Sequence, residues 1–353
     1  MRAFRAVSIF AAGLVALAGS GGASAALVGT SISTGIAALK EWNLVAFNNF
    51  SSQNHVDGRV LVGNNFTAGQ NFAVLNNNVP SSSYGTSALT VGNAAQMAGS
   101  INAPGVQVGG NLSGSFNNNG NGAVQVGGTA QSQQNFTVQS GLGQNFTNTL
   151  LSQSADIKQS LTSLSANLAA LANSGTVALG GDSNNQTLTV TGTGLSVFNM
   201  TEAQFEGNSN QQLLVTVPSG ATLVVNVAGT DIDFNRTLNR FTNDSNVIWN
   251  FYQATTVDIA RQFSGSVLGV FADITGGNSG NIDGSVVGNN VFQNANGEIH
   301  NNYFQGDLSS VGGGSVVSTA PEPSTWAMLL LGFGLVGAVL RRRGTGMPVT
   351  HAA

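Results

Sequence analysis

The chain has 353 residues, no cysteine, and 11 basic against 15 acidic side chains, for a net charge of −4 at neutral pH. Such a length can bury a sizeable core by itself, and the lack of cysteine excludes disulfides and thiolate metal sites. Scarce, scattered Lys and Arg argue against nucleic acid as a partner, because phosphate neutralisation needs them clustered.

At the N-terminus, Arg2 and Arg5 precede the apolar segment Val7 to Ala18, and Ala23-Ser24-Ala25 follows as a small-x-small cleavage site. This order of parts predicts a secretory signal peptide over residues 1–25, cut between Ala25 and Ala26; a retained anchor is the alternative. Between Ala26 and Ala320 only Lys40, Arg59, Lys158, Arg236, Arg240 and Arg261 are basic, against fourteen acidic residues, so the exported part carries about −8. Its solubility must come from Asn, Gln, Ser and Thr.

Residues 26–310 read as one mainly β domain. A loose phrase of the form Gly-x-Val-x-Val-Gly recurs as Gly58–Asn64, Gly105–Asn111, Gly122–Gly127 and Gly284–Asn289, with steps of 18 residues from Gly109 to Gly127 and 19 from Gly269 to Gly288. A period near 18 is one coil of a β-solenoid, in which Val60, Val62, Val106, Val108, Val124 and Val126 point inward and only stacking buries them. Glycine and asparagine at the corners would take left-handed turns, and stacked asparagines would hydrogen-bond from coil to coil. A β-sandwich with glycine-rich loops is the alternative. The solenoid is expected to be irregular where Leu213–Val217, Pro218-Ser219-Gly220 and Leu223–Val227 read as a hairpin.

One segment departs from the β pattern. Leu150, Ile157, Leu161, Leu164, Leu168 and Leu171 recur at helical steps between Asn148 and Ala172, and Asn173-Ser174-Gly175 stops the run. This predicts one long amphipathic helix packed along the solenoid; a dimerising coiled coil is the other use of such a stripe.

Residues 311–320 form a Gly/Ser linker in which Gly312-Gly313-Gly314-Ser315 has no following helix to make a phosphate loop. Then come Pro321-Glu322-Pro323, an apolar run from Trp326 to Leu340, the basic stop Arg341-Arg342-Arg343, and a tail over 344–353 read as cytoplasmic. Fifteen residues rise only about 22 Å as a helix, so the predicted transmembrane segment 326–340 is a marginal anchor. The arrangement over 321–343 resembles the PEP-CTERM sorting signal. That resemblance implies an exosortase-type processing enzyme as partner in a Gram-negative cell, an inner-membrane intermediate, and delivery to the cell surface or extracellular matrix.

A second resemblance rests on Ala46–Ser51, Val56–Asn65, the central helix, Asn246–Phe251, Gly265–Ala272, Glu298-Ile299-His300 and Phe304. Together they resemble the choice-of-anchor A family, which implies a surface adhesive domain of β-helical type and supplies no catalytic residues. The pieces depart from that family at Gly269–Ala272, where it more often has Ala-Pro beside Asn.

Chemistry-bearing residues are sparse. His55 and His300 could share a metal with Asp57 or Glu298, but no ligand spacing supports it. Asp231, Asp233, Asp258, Asp273 and Asp283 could bind calcium at coil edges, yet Asx turns explain them as well. Neither a metal nor another cofactor is therefore expected, and no catalytic residues are assigned. The expected function is a non-catalytic surface or matrix adhesin that binds polysaccharide, or another surface ligand, through many weak polar contacts. An ice-binding solenoid is the first alternative, but the outward Thr187, Thr189, Thr191 and Thr193 lie on one strand rather than on successive coils. A polysaccharide-degrading β-helix enzyme is the second.

Overall fold

In the computed structural model, residues 23–74, 82, 85, 87–131, 133, 135–239 and 241–312 are described. All of them fall within the compact unit Met1–Gly313. The expected linker beyond residue 312, the Pro321-Glu322-Pro323 motif, the apolar segment, Arg341-Arg342-Arg343 and the tail lie outside them. Among the described residues no helix is long and apolar enough to cross a membrane.

The fold is mainly β, and its strands stack as the solenoid expected from sequence. An eleven-stranded parallel sheet runs, from one end to the other, through Gly194–Thr201, Ala221–Ala228, Val247–Asn250, Ser266–Gly269, Val286–Gly288, Leu44–Ala46, Val60–Val62, Leu89–Val91, Val106–Val108, Val124–Val126 and Val138–Gln139. A second parallel face orders Asp231–Phe234, Thr256–Ile259, Asp273–Gly276, Val291–Gln293, Phe50–Ser52, Phe66–Ala68 and Ala95–Ile101, with Leu112–Asn118 beyond. A third is narrower and stacks Phe263–Ser264, Ile282–Asp283 and Ile299–His300, continued by bridges from Val56 to Ile299 and Val74.

The chain does not climb this stack in sequence order. It enters at mid-height with Leu44–Ala46 and winds to the upper end at Val138–Gln139. It then crosses to the lower end and winds upward until Val286–Gly288 docks beside Leu44–Ala46. The seam joins residues as distant in sequence as Asn49 and Asn290, 241 positions apart. Crossing between the two ends is the work of α2, Gln144–Ala169, which replaces the predicted span 148–172. Thr147 near its start bonds to Gly109 O, and Leu168 near its end to Asn226. Those 21 residues rise about 32 Å, and the seven strand spacings between Gly109 and Asn226 amount to about 34 Å, so helix and stack match in length.

The interior is a continuous apolar cluster. It includes the six valines read from the repeat and the inward column Ile232, Val257, Ile274, Val291, Phe50, Phe66, Ala95 and Leu112. A second cluster lies outside the eleven-stranded sheet, where Val45, Leu61, Val224, Ile248, Leu268 and Val287 meet Ile157, Leu161, Leu164 and Leu168 of α2. It is completed by a helix that sequence reading missed: α1, Ala23–Glu41, whose Ile32, Ala38 and Leu39 are buried against it. Ala23, Ala25 and Ala26 of the predicted cleavage site sit in the first turns of α1.

The glycines that follow Val62, Val91, Val108 and Val126 at the strand ends have a packing reason. A Cβ on Gly63, Gly92, Gly109 or Gly127 would come within 2.0–2.2 Å of a carbonyl oxygen one coil below, and atoms of α2 crowd the same spot. Gly105, which begins a phrase, has φ +86°, a left-handed conformation only glycine adopts freely. Among the described asparagines, however, only Asn121 and Asn243 have positive φ, so the asparagine corners are not the left-handed turns expected. The predicted hairpin at 213–227 is also absent. Gln212–Thr216 pairs with Asn185–Val190 and Ala221–Ala228 with its solenoid neighbours, because the turn at Gly220, φ +77°, carries the chain from one face to the next.

Candidate functional face

Helices cover one face of the stack, and the second face is open. Along it the outward positions form a single registered column: Asp233, Asp258, Thr275, Phe292, Ser51, Thr67, Gln96 and Ser113. Alternation puts these side chains outside while their neighbours fill the core, so the polar character of the face follows directly from strand geometry. Its lower end is acidic. Asp231, Asp233 and Asp258 gather there with Glu202 and Glu206; burial and then neighbouring acids raise the pKa of Glu206, and burial and then Asp233 raise that of Asp258. Above them the column carries hydroxyls and amides apart from Phe292.

Asparagines join the covered and open faces. Asn290 Nδ2 donates to Asp273 Oδ1 at 2.7 Å, Asn49 Nδ2 to Asn290 Oδ1 at 3.2 Å, Asn64 Nδ2 to Asn48 Oδ1 at 3.0 Å, and Asn93 Nδ2 to Asn65 Oδ1 at 3.1 Å. The coil-to-coil ladder expected from composition is therefore present, and it works through side-chain amides rather than left-handed backbone. A second ladder, absent from sequence reading, ties down α2. Asn226 Nδ2 donates to both Leu168 O and Asn199 Oδ1 at 2.8 Å, and Asn250 Nδ2 donates to Ser165 O at 2.9 Å and Asn226 Oδ1 at 2.8 Å. The bond to Leu168 O adds a second donor to a helix-end carbonyl that otherwise receives only the Leu171 N–H, at 3.2 Å.

One edge at each end of the stack is blunted against further pairing. Val177–Gly181, antiparallel to Asn185–Val190, caps the lower end. Near the upper end Gln131 and Gln133 accept from the backbone N–H groups of Gly114 and Phe116, and Gln133 donates to Gly114 O. Side-chain amides thereby occupy the outer edge of Leu112–Asn118 and blunt it as a template for another chain.

The structure brings together the histidines and acids that sequence had left scattered. On the third face His300 Nδ1 lies 2.5 Å from Asp283 Oδ1, and His300 Nε2 lies 3.3 Å from Glu298 Oε2. His55 Nδ1 is 3.4 Å from the other Glu298 oxygen. Gln262 Nε2 donates to Asp283 Oδ2 at 2.6 Å. Asp283, and then the neighbouring acids, raise the His300 pKa, while burial raises that of Asp57. Among the described residues no group of three or more His, Asp or Glu side chains is arranged to hold a metal ion. Of the five aspartates weighed for calcium, Asp273 bonds to Asn289 and Asn290, Asp231 to Thr256, and Asp258 to Asn278, while Asp283 meets Gln262 and His300. Thr187 and Thr189 fall in the lower cap rather than on the open face, and Thr191 Oγ1 donates to Thr176 O at 3.2 Å.

Sequence reading also missed Phe292. It is 43% exposed in the middle of the polar column, and its signal was the triplet Val291-Phe292-Gln293, where the registered strands have Phe-Ser-Ser and Phe-Thr-Ala.

Two family matches fit this architecture. The family described as "Putative Ice-binding-like adhesive domain" matches residues 35–301, and the PEP-CTERM protein-sorting motif matches residues 319–343. The first span contains every segment that carried the choice-of-anchor A resemblance except Phe304. No curated protein and no solved structure matches the chain. A discontinuous solenoid with one face open, followed by a sorting motif, is thus the setting of the longer match, which covers three quarters of the sequence: the chain belongs to the ice-binding-like adhesive domain family and carries a PEP-CTERM sorting motif over residues 319–343, as an exported cell-surface protein.

Proposed function

We propose that this protein is a non-catalytic adhesin whose open β face binds extracellular polysaccharide. The observation that carries the reading is the registered polar column of that face, eight strands long and uncovered by either helix, within an adhesive-domain match. Hydroxyls and amides at strand spacing offer many weak hydrogen bonds to a polyhydroxylated chain, and many such contacts add to useful avidity. The sorting motif supports an exosortase-type processing enzyme as partner, an inner-membrane intermediate in a Gram-negative cell, and final residence on the surface or in the matrix. The choice-of-anchor A likeness belongs to the same proposal.

Ice is the ligand that the family description brings to mind. Against it, the column mixes aspartate, threonine, phenylalanine, serine and glutamine instead of repeating one hydroxyl spacing. The test is binding of the purified full-length protein to the producing cell's own exopolysaccharide. Saturable retention without release of reducing ends supports the adhesin. Turnover of the polysaccharide, or shaping of ice crystals without retention, would replace it.

A further inference from the structure

The open face is uniform in chemistry over its upper part except at one point. Phe292 stands 43% exposed in the column, with Thr275 as its register partner on one side and Ser51 on the other. The strand itself does not require an aromatic there, since Ser51 and Thr67 occupy the next positions and their strands pair in the same way. Its register partner Ser51 lines a groove of about 400 Å³ that is shared with Gln53, Thr67, Gln70, Asn71 and Ala295. That volume lies within the usual range for a small-ligand site. Among the described residues no charged side chain lines it.

From this juxtaposition we infer that Phe292 and the adjoining groove form a binding subsite for one sugar ring of a neutral polysaccharide. An aromatic ring presents a negative π face. The C–H bonds on one side of a pyranose ring are weakly positive and apolar, so the two surfaces are complementary, while the rim of the sugar carries hydroxyls that both donate and accept. Ser51 and Gln53 one strand away, and Thr67, Gln70 and Asn71 two strands away, supply matching donors and acceptors. A phosphate or uronate chain would find no cation in the groove and would meet Asp258 two strands from Phe292. The subsite therefore selects uncharged glycans. It also concentrates affinity at one residue, where the polar column alone would spread it evenly. This inference rests on the adhesive reading above and adds to it the class of ligand and the anchoring side chain.

The test uses full-length protein purified in mild detergent and presented to immobilised dextran and cellohexaose, with alginate as the anionic comparison. Phe292→Ala removes an outward side chain and leaves the core intact. It should weaken retention on a neutral glycan about tenfold, the loss of one aromatic stacking contact. Phe292→Tyr should restore it, and Phe271→Ala, which removes an aromatic that is 54% exposed but outside the column, should change nothing. Equal retention by Phe292→Ala and the parent, or preference for alginate, overturns the subsite. If the parent binds none of these glycans yet still adheres to the cell's exopolysaccharide, the subsite is wrong and the adhesin stands. If it adheres to neither, both are wrong. Association of the parent with itself that Phe292→Ala abolishes would make the patch a protein contact and likewise overturn the inference.

Discussion

Asn226 offers the sharpest test of how the long helix is held. Its side chain is 2% exposed, and its amide donates to Leu168 O and Asn199 Oδ1 while its oxygen accepts from Asn250 Nδ2, all at 2.8 Å. In Asn226→Ala the Leu168 carbonyl loses this donor in a buried site. Asn250 keeps its bond to Ser165 O, and exposed Asn199 can turn to water. A buried helix-end carbonyl left with only the Leu171 N–H, plus a half-satisfied amide, should destabilise the domain by about 1–2 kcal/mol. Asn93→Ala removes the bonds to Asn64 and Asn65 on the exposed part of the corner ladder, where water replaces them, and should cost about 0.5 kcal/mol or less. Urea unfolding of both variants reads the difference as a shift in midpoint at unchanged slope. Hydrogen exchange should place the loosening of Asn226→Ala in the last turns of α2. If both variants unfold at the same urea concentration, the ladder does not hold the helix and apolar packing alone must do so.

Other perturbations address separate parts of the account. Leu161→Ala, at a site with no exposure between helix and sheet, should lose about 2–5 kcal/mol in the same unfolding assay. Gly109→Ala would put a methyl group 2.1 Å from Gly92 O and should destabilise by at least about 1–3 kcal/mol, while Gly175→Ala, with no atom within 4 Å, should be neutral. His300 has its pKa raised above the ordinary 6.5 by Asp283. Its contribution to stability is therefore complete below about pH 6.5 and lost as pH rises through the raised value, so melting-temperature profiles of the parent and His300→Gln should converge at alkaline pH. Replacing Pro321, Glu322 and Pro323 by alanine should leave an unprocessed, membrane-retained form in cell fractionation.

The solenoid was legible because its repeat imposes both halves of the pattern at once. Valines two apart at Val106 and Val108 must face a common interior, and the glycine that follows must clear the coil below. The stripe of α2 was legible for the same reason, since Leu161, Leu164 and Leu168 leave only one buried face. What stayed hidden depended on pairing between distant positions. Nothing local shows that Val286 will dock against Leu44, so the meeting of the two chain ends at mid-height, and with it the approach of His55 to Glu298, could not be read. α1 was missed because Ile32, Ile36 and Leu39 are set among Gly, Ser and Thr, next to a segment whose apolar run reads as a targeting signal. The hairpin expected around Gly220 failed because a turn of that kind can close a solenoid corner as readily as a hairpin. Phe292 was passed over because an isolated aromatic in a strand reads as core until its register shows it facing out.

Placing charge and bulk on one face at a time shows whether adhesion belongs to the open face. Thr67→Arg, Gln96→Arg and Ser113→Arg together alter three consecutive exposed positions of the open column, whereas Ser152→Arg, Ala155→Arg and Gln159→Arg alter the solvent side of α2 to the same extent. Producing cells displaying equal amounts of each protein would be washed under flow over their own immobilised exopolysaccharide. The account predicts that the open-face triple variant detaches while the helix-face variant holds like the parent. Retention of the open-face variant at the parent's level, or equal loss by both, would contradict it.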